Sequence, residues 1–398
     1  MRILHTVEFY HPSVGGAQEV VKQISEGLVR RGHDVTVATT RLPDRRRFEV
    51  NGVKIAEFDV SGNLLYGIRG TPGAYRRFLR CGKFDVMMNY AAQQWACDAS
   101  YELIDELPYA TVMAPCGFSG LHEPAYAAYF QQMPSILKKY DRLIFHSDTY
   151  QDRRFAQAHG LEPISRTIAN AASEIEFTEI DGTFRQRYGI PNNMPMLLTV
   201  ASHTGVKGHD IAIKALAKAR IGGAVLVLVG NSSAKGGCLW SCRWWASMAR
   251  IYSRGRRRVM LLDLPRRDVV AAYHAADLFV FPSVVECSPL VLFECMAAKL
   301  PFVASPAGNS QEIAEWSGSG VIVAAQRRQN GFVYTRSHHL AAAIERMLGD
   351  RDRLAELGER GHQIWRQRFT WDRAVDLYEQ VYREAIDARQ AKRAKVTI

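Results

Sequence analysis

The chain has 398 residues, 47% of them hydrophobic, which is enough for two domains that each bury a core. Its 51 basic and 40 acidic residues leave a net charge of +11, with an isoelectric point of about 9.3. That surplus favours anionic partners such as nucleotides, phosphates, nucleic acid or a membrane surface, and the seven cysteines, without any C-x-x-C pair, argue against a disulfide scaffold and for a reducing compartment.

The first residues, "RILHTVEF", read as a buried strand, with no apolar region of the signal-peptide kind. No run of 18 apolar residues follows anywhere, so no membrane span is expected. "AQEVVKQISEGLVRRG" is an amphipathic helix ending at Gly32, and "DVTVATT" is the next strand. This β-α-β unit predicts a parallel sheet with right-handed crossovers. Strands recur at "FDVMMNY", "YATVMAP" and "RLIFHSD".

The pattern breaks over residues 171–195 and then restarts. "MLLTVAS", "GAVLVLVG", "LFVFPS" and "PFVAS" are buried strands; "HDIAIKALAKA", "RDVVAAYHAAD" and "LVLFECMAAKL" are helices between them. The fold class is therefore α/β, with two Rossmann-like domains facing a central cleft. The expected division is 1–175 and 176–370, followed by one long helical pattern over 371–398. That helix ends in basic residues, Arg389, Lys392, Arg393 and Lys395. Asn231-Ser232-Ser233 matches a glycosylation sequon and is read as accidental.

Residues 238–258 form an unusual basic and aromatic segment. At about 100° per residue, Trp240, Trp244, Trp245, Met248, Ile251 and Tyr252 share one face, and Arg243, Arg250 and Arg254 share another. The segment reads as an interfacial helix on an anionic membrane, or as a helix packed on its own domain. No recognition motif supports nucleic-acid binding. Cys238 and Cys242 have loose metal-ligand spacing, but no second Cys/His pair completes a site, and no metal is expected.

"ECSPLVLFECMAAKLPFVAS" places Glu286 and Glu294 eight positions apart in an otherwise apolar stretch. Ser288-Pro289 reads as a helix start, with the serine as N-cap and the proline at the first helical position. Glu286 then stands in the loop and Glu294 about one and a half turns inside the helix. The amides of Leu290 and Val291 have no acceptor within the helix and carry the positive end of its dipole, which makes an anion site. The apolar strand before it ends where open α/β sheets bind ligands.

This stretch resembles the E-x7-E signature of retaining GT-B glycosyltransferases of family 4, also called glycosyl transferases group 1. Ser283, Glu286, Pro289, Leu290, Glu294, Met296, Ala297 and Pro301 fit it. The resemblance implies that Glu294 binds the ribose of a nucleoside-diphosphate sugar, with Leu264 near the nucleotide's ribose and base. It implies that Glu286 lies beside the donor sugar and that the Leu290 and Val291 amides hold the diphosphate. Further matches lie in family order. Gly15-Gly16 in "HPSVGGAQEVV" looks like the family's glycine loop facing the donor phosphates. Lys207-Gly208 in "TVASHTGVKGHD" is similar to its lysine–glycine phosphate element, with Ser202 and His203 where an arginine is usual and expected to contact the phosphates in its place. Cys116 in "APCGFSGLHEPAY" stands where relatives carry a histidine at the reaction centre, and His122 is a substitute for it. Gly308, Asn309 and Glu312 match the segment after the glutamate pair, Asn309 as a donor-pocket residue. Ala171 replaces a usual glycine after Asn170.

The resemblance implies transfer of a sugar from a UDP- or GDP-sugar to a saccharide, with retention of configuration and without a metal or other cofactor. The first domain is expected to take the acceptor and the second the donor, with the last helix, 371–398, crossing back to the first domain. The segment 238–258 points to a lipid-linked acceptor in bacterial surface-polysaccharide synthesis, at the inner face of the plasma membrane; a cytoplasmic enzyme with a small-molecule acceptor is the alternative. A nicotinamide dehydrogenase lacks support, because no G-x-G-x-x-G follows the first strand and no acidic residue ends the second.

Overall fold

The computed structural model describes residues 1–231 and 237–396. Ser232 and Ser233 of the sequon lie outside them. The chain divides into two compact units, Met1–Asn170 with Trp371–Ile398, and Ala171–Thr370. The division falls a few residues earlier than the sequence pattern places it. The reason is local: Ala172 N donates to Phe369 O at 3.1 Å and Trp365 Nε1 donates to Ala172 O at 3.3 Å. The segment after Asn170 is thereby already bound to the end of the second unit.

In the first unit the strands are β1 (Arg2–Thr6), β2 (Asp34–Thr40), β3 (Glu49–Val50), β4 (Val53–Phe58), β5 (Val60–Asn63), β6 (Gly67–Gly70), β7 (Val86–Tyr90), β8 (Ala110–Ala114), β9 (Arg142–Phe145) and β10 (Ser165–Thr167). The main sheet has the order β10-β9-β8-β7-β1-β2-β4-β3, parallel except at the β3–β4 edge. β5 and β6 form a separate antiparallel hairpin that the sequence pattern does not show. All five residues of β7 and of β8 are buried, as continuous apolar runs in a covered parallel sheet require. β1 neighbours both β2 and β7, so the direction of winding reverses between β1 and β7.

The helix Trp371–Val396 belongs to this unit. Ala374, Val375, Tyr378, Tyr382 and Ala385 are buried at helical spacing. Tyr382 Oη lies 2.8 Å from His5 Nε2, and burial pushes the His5 imidazole down to about 3, so it is neutral. Asp141, fully buried, is met by Arg389 at 2.8 Å and Lys392 at 2.9 Å. Two of the tail's basic residues therefore neutralise a buried carboxylate, which would otherwise be costly to leave unpaired.

The second unit contains β11 (Met196–Val200), β12 (Ala224–Val229), β13 (Arg257–Leu262), β14 (Leu278–Phe281), β15 (Phe302–Ala304) and β16 (Gly320–Ile322), with a hairpin of β17 (Ala325–Arg327) and β18 (Val333–Thr335). The sheet order is β13-β12-β11-β14-β15-β16, all parallel. This is the Rossmann order, with its reversal between β11 and β14. The carboxyl ends of those two strands therefore mark the crevice where such sheets bind ligands.

Candidate active site

Two loops leave the carboxyl ends of β11 and β14 side by side. Residues 201–208 carry Lys207, and residues 282–289 carry Glu286. Lys207 Nζ lies 2.6 Å from Glu286 Oε1, and Ser283 Oγ donates to the same oxygen at 2.6 Å. Val284 N donates to Val206 O at 2.8 Å, which holds the two loops together through their backbones. Gly208 has φ +69°, and a Cβ there would run into the Pro282 carbonyl oxygen. Only glycine permits that approach, so the glycine after Lys207 sets the lysine beside β14. Gly308, with φ +60°, serves the same purpose for the third loop, against the Cys287 carbonyl and Glu286. Asn309, buried next to it, donates its backbone N–H to Cys287 O at 2.9 Å.

The helix Leu290–Ala297 starts directly after Glu286's loop. Its N-cap is Pro289, in extended backbone, and no side chain caps it. The sequence pattern expects Ser288 there with Pro289 inside the helix. The shift arises because the first turn closes tightly, Leu292 N donating to Pro289 O at 3.2 Å. Leu290 and Val291 thus keep amides without an intrahelical acceptor at the positive helix end.

Glu294 is buried on this helix, and its Oε1 lies 2.7 Å from Arg266 Nη2. Arg266 also pairs with Glu176 at 2.7 Å. A carboxylate this buried requires a cation, and Arg266 fixes its orientation. Leu264 is half-buried in the loop between β13 and Arg266. Arg266 is a site neighbour that sequence reasoning missed; its only sequence signal is its place just after a strand end, two residues from Leu264.

His203 departs from expectation. It is 1% exposed, its Nδ1 faces Cys238 and Cys242, and burial lowers its pKa. A buried neutral imidazole does not replace the missing arginine as a cation. Ser202, next to it, is half-buried. A second pair for Cys238 and Cys242 does exist: His203 and His209 stand beside them, the four ligand atoms within 4.8 Å of one another. The pair is hidden in the sequence because it flanks Lys207, 29 residues and more before the cysteines.

In the first unit, Gly15 caps the helix Gly16–Arg30 with φ −179°, an extended conformation open to any residue. The positive φ that glycine allows is not used there. What glycine gives at Gly16 is space, since no atom lies within 4 Å of where a Cβ would stand. Cys116 follows β8 with φ +59°, and its Sγ donates to Tyr90 Oη at 3.8 Å. His122 is exposed on the same loop. Ala91, Gln93 and Phe118 also have positive φ, so four non-glycine residues crowd the left-handed region at the ends of β7 and β8. Their bonds hold them there: Gln151 Nε2 donates to Gly117 O and Phe118 O, each at 2.8 Å, and Asp152 Oδ2 accepts from Gly117 N at 2.8 Å. Burial raises Asp152 to about 6. Such strain is found where structure around a site over-determines it.

The helix Leu239–Tyr252 turns differently from the sequence expectation. Cys242 and Ala249 are buried, and Trp245 is drawn inward under the Lys214 ammonium, 4.3 Å from the ring centroid. Trp240, Trp244, Ile251 and Tyr252 remain exposed. Arg243, Arg250 and Arg254 are exposed along the flank. Among the described residues, no helix is long and apolar enough to cross a membrane.

Comparison with known proteins identifies the family. The model of glycosyl transferases group 1 matches residues 181–364, and that of Glycosyltransferase Family 4 matches residues 14–165. An uncharacterized glycosyltransferase of Methanocaldococcus jannaschii is 24% identical, over 97% of this chain and 99% of its own. A D-inositol 3-phosphate glycosyltransferase of Kineococcus radiotolerans is 25% identical, over 98% and 96%. Among solved structures, sucrose-phosphate synthase from Thermosynechococcus elongatus superposes with TM-score 0.76 at 19% identity, covering 98% of this chain and 100% of that one. Anabaena HepE in complex with UDP-glucose superposes with TM-score 0.71 at 17% identity, covering 98% and 100%. The dehydrogenase reading and the non-enzymatic readings give way to these matches. The chain belongs to the family-4 glycosyltransferases of GT-B fold, enzymes that transfer sugar from a nucleotide-sugar donor.

Proposed function

We propose that the second unit binds a UDP- or GDP-sugar across the β11/β14 reversal and that the first unit takes a saccharide acceptor. The observation that carries this reading is the Lys207–Glu286 ion pair beside the uncapped helix tip. A carboxylate at the mouth of an anion site would repel a diphosphate. Its pairing with Lys207 cancels that charge, and the lysine is the group positioned to meet the phosphates. As the bond to the leaving diphosphate breaks, negative charge grows on its oxygens. Lys207 and the Leu290 and Val291 amides stabilise that charge without a metal ion. In the first unit, the open space at Gly16 leaves its backbone accessible. Glu294, oriented by Arg266, accepts from the ribose hydroxyls, and Leu264 borders the nucleoside. Glu286 and Asn309 border the sugar, and the acceptor attacks the face the diphosphate leaves, giving retention. Its proton passes to the departing phosphate, with Cys116 and His122 as contacts to sugar or acceptor.

The exposed aromatics of the helix Leu239–Tyr252, flanked by arginines, support work at an anionic membrane on a lipid-linked saccharide. A donor screen by calorimetry and sugar-nucleotide hydrolysis, without added divalent metal, tests the first part: one UDP- or GDP-sugar should bind and turn over, and silence from all of them defeats the reading. For the second part, Trp240→Ser with Trp244→Ser should release the protein from anionic vesicles in sedimentation. Equal sedimentation of variant and wild type removes the membrane and leaves a soluble acceptor.

A further inference from the structure

We propose that His203, His209, Cys238 and Cys242 form a closed tetrahedral zinc site that ties the lysine loop to the start of the helix Leu239–Tyr252.

The spacing of the four side chains carries this. A tetrahedral ion about 2.3 Å from sulfur and about 2.0–2.1 Å from nitrogen sets a sulfur–sulfur edge of about 3.8 Å and sulfur–nitrogen edges of about 3.5 Å. Cys238 Sγ and Cys242 Sγ are 3.7 Å apart. His203 Nδ1 lies 3.5 Å from Cys238 Sγ and 3.9 Å from Cys242 Sγ, and His209 Nδ1 lies 3.4 Å from Cys238 Sγ. These four separations lie close to the edges of a zinc tetrahedron, the remaining two are within 4.8 Å, and the two sulfurs are too far apart for a disulfide bond. His203, His209 and Cys242 are buried and Cys238 is half-buried, so the cluster lies beneath the surface. Two imidazoles and two thiols all directed at one point are a poor way to fill an apolar core, whose neighbours here are residues such as Ala212, Leu226 and Leu228.

The ligand set favours zinc over magnesium or calcium, which prefer oxygen. Four protein ligands leave no open position, so the ion is structural and does not act on the sugar. Its place in the chain gives it a purpose. His203 and His209 bracket Lys207, at the end of β11 and at the first turn of the helix His209–Lys218. Cys238 is the N-cap of the helix Leu239–Tyr252, with Cys242 one turn on. The ion fixes both ends of the lysine loop to that helix.

Metal analysis of protein made without a polyhistidine tag tests the site. The wild type should retain about one zinc per chain after gel filtration. Metal-free wild type titrated with cobalt(II) under reductant should show the absorption of tetrahedral thiolate-bound cobalt, and zinc should displace it. Cys238→Ser with Cys242→Ser should bind neither metal. Because Cys242 is fully buried and that variant could fail to fold, His203→Gln is the second variant, expected to lower zinc affinity at least tenfold in a folded chain. Zinc reloading should raise the melting temperature of the wild type and leave that of the double cysteine variant unchanged. Zinc-free wild type that gives no cobalt band with its thiols reduced overturns the proposal, as does His203→Gln with unchanged affinity. These readouts are independent of donor binding, so they fail or succeed separately from the proposed function.

Discussion

The two units share a reversal of strand order, β1/β7 in one and β11/β14 in the other, yet they equip it differently. The second unit places charge there: Lys207 on Glu286, Arg266 on Glu294, and a helix tip without a side-chain cap. The first unit places backbone strain there: positive φ at Ala91, Gln93, Cys116 and Phe118, with Gln151 and the buried Asp152 bonded to the Gly117–Phe118 backbone and Tyr129 to the Gln93 amide. The difference suits a diphosphate on one side, recognised by charge that is alike for every nucleotide sugar, and on the other a partner recognised by shape.

The largest way to break this comparison is Lys207→Ala. It should lower turnover by about 10²–10³-fold, with a smaller change in donor affinity, because the lysine meets charge that develops in the transition state. Steady-state kinetics decide it, and wild-type turnover would remove the lysine from the chemistry. Glu294→Ala should weaken nucleotide binding by roughly 10- to 100-fold, the worth of hydrogen bonds to a charged acceptor. Calorimetry measures it, with a melting curve to show that Arg266, stripped of one partner, still leaves a folded chain.

Gly308→Ala sharpens the contrast through stability. Forcing a Cβ at φ +60° against the Cys287 carbonyl should cost about 3 kcal/mol, read from denaturant unfolding. Asp152→Asn probes the strained side by pH. The wild-type carboxyl, raised to about 6 from 3.8, binds a proton more tightly folded than unfolded. The wild type therefore loses stability as pH rises from about 4 through 6, while the asparagine variant does not. The variant's stability relative to wild type should climb across that window by about 2 kcal/mol; a flat difference would contradict the raised value. Gly16→Ala is the mildest: with open space around it, stability should change by less than about 1 kcal/mol.

The same contrast explains what could be read from the chain. Strands such as β12 and β14 and the Glu286–Glu294 spacing are local patterns, and local patterns survive in a sequence. Lys207-Gly208 is legible for that reason also. Arg266 is not, because Glu294 and its cation come from different crossovers and no spacing links them. His203 reads in the sequence as a phosphate contact because it stands close to Lys207, whereas in space its Nδ1 faces Cys238 and Cys242. The face of the helix Leu239–Tyr252 was half right: periodicity groups the aromatics but does not show that Lys214 draws Trp245 inward. The positive φ values at Gln93 and Phe118 leave no trace in residue type, since neither is glycine or asparagine.

A crystal of this protein soaked with its nucleotide sugar tests the central claim most directly. The account predicts the diphosphate within hydrogen-bond distance of Lys207 Nζ and of the Leu290 and Val291 amides, with ribose on Glu294. A nucleotide bound elsewhere in the second unit, with those amides facing only protein or solvent, would contradict it.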